Sequence, residues 1–137
     1  MRLIIVGLVL IVLVVSGSVS AGVFAYECEV LAAQQISDEG YLQSGPAIYN
    51  GSTFNVERKT GRVVSAVLDN STYPTINVLD AGGESMSYKV IWISKRIYGR
   101  DSDHHNVVYL QIKEFSEAEL KPFILVLSAT VLTGTCR

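Results

Sequence analysis

The chain opens on an unbroken apolar run, Leu3 to Val15, behind a single basic residue, Arg2. Beyond Ala25 the pattern changes to short alternating stretches separated by turn residues. Thr53 to Glu57 alternates with Phe54 and Val56 on one face, and Arg58-Lys59-Thr60-Gly61 reads as a turn with a positive-φ glycine. Arg62 to Leu68 then returns as a β-branched run, so the two stretches predict a hairpin. Thr75 to Asp80 predicts a strand and Gly82-Gly83 a turn. Ser87 to Ser94 predicts another strand, with Tyr88, Val90 and Trp92 on one face. Tyr98 to Asn106 is polar and reads as a loop. Val107 to Phe115 alternates with Val108, Leu110 and Ile112 inward.

Ser116 to Glu119 has capping-box spacing and predicts one short helical turn, stopped by Pro122. Phe123 to Thr133 is apolar on both faces and predicts a single central strand. Tyr26 to Ile36 fits either a helix or a strand face, and the strand is preferred. This pattern predicts an all-β domain over residues 26–137, a single antiparallel meander forming a small barrel, with a two-layer β-sandwich as the second choice. Closure into a barrel would remove exposed strand edges.

Residues 1–25 have the layout of a signal peptide: a positive start, a short apolar core, then the small residues Ser16 to Ala21. Cleavage is expected after Ala21 or Ala25. The alternative is an uncleaved membrane anchor formed by an N-terminal apolar helix, since Leu3 to Ala25 carries no charge and is long enough to span. Either way the remainder is exported, to the periplasm or beyond, and contact with a membrane would run only through the N-terminal segment.

Charge and cysteines sharpen this picture. Eleven basic and 13 acidic residues give a net charge of −2, and Arg58-Lys59 and Lys95-Arg96 are isolated pairs, so nucleic acid is not an expected partner. The two cysteines, Cys28 and Cys136, lie at opposite ends of the exported part. In an oxidising compartment they are expected to pair, closing a loop of roughly a hundred residues, for which chain entropy predicts about 4.7 kcal/mol. The alternative is two buried free thiols.

Four features are candidates for chemistry. Asp101, Asp103, His104 and His105 combine carboxylates with the only two imidazoles and are candidate metal ligands; the other reading is a solvated polar loop. Nucleophilic catalysis lacks a Gly-x-Ser-x-Gly motif, and its base would have to be His104 or His105. Asn50-Gly51-Ser52 and Asn70-Ser71-Thr72 match the glycosylation acceptor pattern. Tyr41, Tyr49, Tyr73, Tyr88, Trp92, Tyr98 and Tyr109 could form a binding surface or simply fill and rim a barrel. No catalytic residue or cofactor is assigned.

The stretch Phe54 to Val64 (FNVERKTGRVV), Lys121-Pro122-Phe123, Gly134-Thr135-Cys136, the early Cys28 and the turn Asp38-Glu39-Gly40 together resemble a group of small exported proteins of Gram-negative bacteria with no assigned activity. That resemblance implies a periplasmic or cell-surface address and an all-β domain, and it carries no catalytic residues. The expected function is a non-catalytic binding or structural module of the cell envelope whose partner is another protein or an envelope polymer. An inhibitor of an envelope-degrading enzyme is one version. The alternative is a metal-assisted hydrolase using the Asp101–His105 loop.

Overall fold

The computed structural model describes residues 24–98 and 102–137. The expected leader, and the helix it would form, lie outside these residues up to Val23. Nine antiparallel strands form one sheet: β1 (Ala25–Ile36), β2 (Leu42–Ser44), β3 (Thr53–Glu57), β4 (Val63–Val64), β5 (Thr75–Gly83), β6 (Met86–Tyr98), β7 (Ser102–Ile112), β8 (Lys121–Leu127) and β9 (Thr130–Cys136). The order is β4-β3-β1-β9-β8-β7-β6-β5, with β2 paired to the far end of β1. β5 to β9 are a meander, and β1 joins it beside β9, so the two ends of the described chain are neighbours.

Alternation decides which side chains enter the concave face. Tyr26, Cys28 and Val30 of β1, Phe54 and Val56 of β3, Tyr88, Val90 and Trp92 of β6, and Val108, Leu110 and Ile112 of β7 are all buried. Their partners in the core are Phe123, Leu125, Leu132 and Cys136. Phe54 and Phe123 meet edge to face at 5.2 Å between ring centroids, a favoured aromatic geometry. Cys28 and Cys136 are directly opposed across the β1–β9 ladder and joined by a disulfide, 4.0 Å apart at Cα. Such a bridge suggests an oxidising, exported compartment.

The sheet curls into a half-barrel instead of the closed barrel expected, because no ladder joins β4 to β5. Side chains close the gap. The β3–β4 turn leans onto β5 and β6 at Gly61, where φ is +72° and an added Cβ would strike Val90 and lie 3.0 Å from Ile76. Only glycine combines that φ with so close an approach. The Gly61 carbonyl accepts hydrogen bonds from Trp92 Nε1 at 2.8 Å and from Asn70 Nδ2 at 3.1 Å. Asn70 Oδ1 in turn accepts from the Val63 N–H at 2.9 Å.

Several expected elements differ. The run Phe123–Thr133 is a hairpin, β8 and β9, reversing at Ser128-Ala129 with Leu127 opposite Thr130. Ser128 has φ +54°, a strained value that a two-residue hairpin loop requires at its first position. The segment Ser116–Glu119 forms no helix; Ser116 Oγ accepts from the Ala118 N–H instead, a local turn that competes with a helical start. Pro122 lies inside β8, opposite Thr135. The return arm of the first hairpin pairs only through Val63 and Val64, after which residues 65–74 leave the sheet, with Leu68 and Tyr73 packed against the core. Gly82 and Gly83 end β5, and the reversal falls on Glu84-Ser85. The 26–36 segment is a strand, as preferred, extended by one residue to Ala25.

Candidate functional site

The segment Tyr98–Asn106, expected as a polar loop, is largely a two-stranded ribbon. β6 and β7 remain paired as far as Tyr98 opposite Ser102. Neither neighbour follows them: β5 starts opposite Ile93, and β8 ends opposite Val108. In the strand ladders residues 94–98 and 102–106 therefore pair only with each other and extend as an arm, with Asn106 Nδ2 donating to the Tyr73 hydroxyl at 3.0 Å at its base. At about 3.3 Å per residue, the five rungs from Ser94 to Tyr98 span roughly 13 Å.

This ribbon alters the metal-ligand reading. Asp101 lies outside the described residues. Asp103, His104 and His105 occupy successive positions on β7, opposite Ile97, Arg96 and Lys95. Successive strand positions belong to opposite faces of a ribbon, so the backbone separates the two histidine positions instead of converging them as an irregular loop would. His105 is exposed. Among the described residues no three His, Cys, Asp or Glu side chains come together as a metal site.

A different polar cluster forms at the mouth of the half-barrel, the end where β1, β6 and β8 begin and β3, β5, β7 and β9 finish. Tyr26 of β1 donates its hydroxyl to Glu114, which follows β7. Arg58, at the end of β3, binds the other Glu114 oxygen at 3.0 Å and gives two hydrogen bonds to the Ala81 carbonyl of β5, at 3.1 and 2.9 Å. The guanidinium also lies 5.8 Å from the Tyr26 ring centroid. Gly82 has no Cβ where one would overlap the Glu114 carboxylate. These contacts join β1, β3, β5 and the β7–β8 connection, and so fasten the lips of the open sheet. They also line a cavity of about 410 Å³ with Glu84, Glu119, Lys121 and Arg137 on its rim.

Burial first, and then the hydrogen bond to the Glu114 carboxylate, hold the Tyr26 phenol far above its usual range. Tyr88 packs on Tyr26 with ring centroids 5.1 Å apart, and burial pushes its phenol up to about 12. Both phenols are therefore kept protonated. Arg58 and Glu114 spend their polar atoms on each other, on Tyr26 and on the backbone. The cluster acts as a latch across the sheet opening. Sequence reasoning did not single out Tyr26 or Glu114 as site residues, and it took Arg58 as half of a basic pair and as part of the first hairpin's turn. The latch joins residues 56 and 88 positions apart, with no shared motif.

The remaining sequence candidates separate by burial. Asn70 is 1 % exposed and hydrogen-bonded at both ends of its amide, so the folded domain withholds that sequon. Asn50 is exposed. Tyr88 and Trp92 belong to the core, Tyr41 is exposed, and Tyr49 and Tyr73 pack partly against the core. Comparison with known protein families, curated proteins and solved structures gives no match to this chain.

Proposed function

We propose that the protein is an exported cell-envelope module that binds another protein of the envelope through the β6–β7 arm and carries out no reaction of its own. The export reading rests on the apolar leader and on the disulfide, which suits an oxidising compartment. Periplasmic placement and kinship with the small exported proteins of Gram-negative bacteria are part of the same proposal.

The observation that carries the binding role is the extent of the arm beyond its neighbours. An isolated two-stranded ribbon is marginal in water, yet β6 and β7 continue past Ile93 and Val108 without a third strand. The outer edges of residues 94–98 and 102–107 offer backbone N–H and C=O groups to another polypeptide. Edge pairing by main-chain hydrogen bonds is an established mode of protein recognition. That favours a protein partner over a polysaccharide, which lacks a matching ladder. An envelope-degrading enzyme whose cleft admits a ribbon is the specific partner class, with the domain acting as its inhibitor.

The test is capture from envelope extracts with the purified domain and with a variant in which residues 95–105 are replaced by Asp-Gly, closing the ribbon at the Ser94–Asn106 pair. The full arm should recover a reproducible protein that the shortened variant does not. Equal recovery by both would remove the arm from the function. Turnover of a cell-wall substrate by the domain without any captured partner would overturn the module reading.

A further inference from the structure

We infer that Asn50-Gly51 is a latent self-modification site, a deamidation site that the fold holds shut and that opens only when the β1 contact to residues 51–52 is lost. Asn50 is exposed and its successor has no side chain, so nothing steric shields the Asn50 amide from attack by the next main-chain nitrogen. In that reaction the Gly51 nitrogen bonds to Asn50 Cγ and the side-chain nitrogen leaves as ammonia, carrying the proton from Gly51. A five-membered imide remains. Solvent water then opens the imide at one of its two carbonyls, giving aspartate or the isoaspartyl isomer, whose main chain runs through the former side chain.

Two features of the fold oppose the first step. The Gly51 N–H is committed to the Val30 carbonyl at 2.8 Å, and the Val30 N–H returns a bond to Ser52 O at 2.9 Å. Val30 is fully buried in the centre of β1, so this clasp is anchored in the core. The second obstacle is torsional. Ring closure must bring the Gly51 nitrogen into line with Cβ of Asn50, which needs ψ of roughly −120°, the tetrahedral offset of Cβ from the backbone nitrogen. Asn50 sits at ψ 127°, on the other side of the Cα–C bond. It is held there by its own N–H bond to Ala47 O at 3.1 Å and by Ser52, whose N–H and Oγ both bond to Tyr49 O, at 3.0 and 2.6 Å. Cyclisation therefore requires a local opening that breaks the Val30 clasp and turns the peptide over.

The consequence is a one-way record. An isoaspartyl residue lengthens the main chain between Ala47 and Ser52 and adds a carboxylate, so a chain that took that branch cannot restore the same pairing to Val30, while the aspartate branch leaves a new charge at position 50. Protein with its disulfide intact should be incubated at mildly alkaline pH, folded and in urea, and Asn50 conversion followed by peptide mapping and an isoaspartate assay. Conversion at Asn50 in the folded protein should run at least roughly tenfold slower than in urea, as local opening requires. Ser52→Ala, which removes one restraint while leaving the core intact, should speed the folded reaction and leave the urea reaction unchanged. Folded and unfolded rates agreeing within about threefold, or no conversion of Asn50 in urea, would overturn the inference.

Discussion

Asn70→Asp tests the side-chain closure of the sheet with a change of almost no volume. Asn70 is buried and offers one acceptor and one donor, each used: Oδ1 receives the Val63 N–H at 2.9 Å and Nδ2 donates to Gly61 O at 3.1 Å. An ionised aspartate still accepts from Val63 but points a second oxygen at the Gly61 carbonyl, with no proton between them. A protonated aspartate can donate an O–H to that carbonyl and restores the pattern. The variant carboxyl must therefore titrate above the unfolded value of about 3.9. Between the unfolded and folded values the native state holds a proton that the unfolded chain has shed. Stability then falls as pH rises, by up to about 1.4 kcal/mol per pH unit. A shift of two units, modest for a buried carboxyl, makes the variant about 2.7 kcal/mol less stable at neutral pH than near pH 3, relative to wild type. Asn70→Ala is the reference. It leaves the Val63 N–H buried and unpaired, a loss of about 1–3 kcal/mol with no pH dependence of its own. Urea unfolding at acid and neutral pH, followed by fluorescence of the single tryptophan, the buried Trp92, gives both numbers. An equal loss for Asn70→Asp at both pH values would refute the hydrogen-bond assignment at Gly61.

Tyr88→Phe should leave stability unchanged or raise it by up to about 1 kcal/mol, since the buried Tyr88 hydroxyl has no hydrogen-bond partner among the described residues; a loss above about 1 kcal/mol in urea unfolding would mean the hydroxyl is paired. The same variant should soften alkaline unfolding. Tyr88 keeps its proton in the fold to about 12, whereas the unfolded phenol sheds it near pH 10, so wild-type stability falls as pH rises through that interval. Replacing Cys28 and Cys136 together by Ala should lower stability by about 2–5 kcal/mol, read from the denaturant midpoint, and a shift below about 1 kcal/mol would contradict a loop-closing role. If the leader is removed, the mature mass should begin at Gly22. Cleavage after Ala25 would discard the Phe24 carbonyl that accepts from the Arg58 N–H at 3.0 Å and the Ala25–Glu57 rung; a mass beginning at Tyr26 would show those contacts to be dispensable.

The inward positions were legible because burial on one face imposes period two. Phe54 and Val56, Tyr88 to Trp92 and Val108 to Ile112 all alternate and are all buried. The disulfide was legible for another reason: two lone cysteines behind a leader-like apolar run have few alternatives. The β8–β9 hairpin was hidden because both faces of that run are apolar and its reversal uses Ser128-Ala129, which carries neither the glycine nor the asparagine that announces a positive φ. The 98–106 segment was misread because polar residues can occupy a ribbon exposed on both faces as readily as a loop. The capping-box spacing at Ser116 is a local preference, and here the hydroxyl satisfied a nearer N–H.

What no pattern could reveal is how an open sheet survives without closing its ladder. Unpaired edges invite association, and a longer β4 paired to β5 would have been the simplest remedy. Instead β4 stops at Val64, and the work passes to a few side chains. At the mouth, Arg58 caps the Ala81 carbonyl of the edge strand and is held by Glu114. Further in, the Gly61 turn fills the gap, and Trp92 and Asn70 take its carbonyl. Each closure uses side-chain groups reaching main-chain atoms from distant parts of the sequence. The long outer edge of β5 is therefore guarded near Ile76, Val78 and Ala81, while the β6–β7 arm, tied at its base where Asn106 Nδ2 donates to the Tyr73 hydroxyl at 3.0 Å, is the edge we propose for a partner.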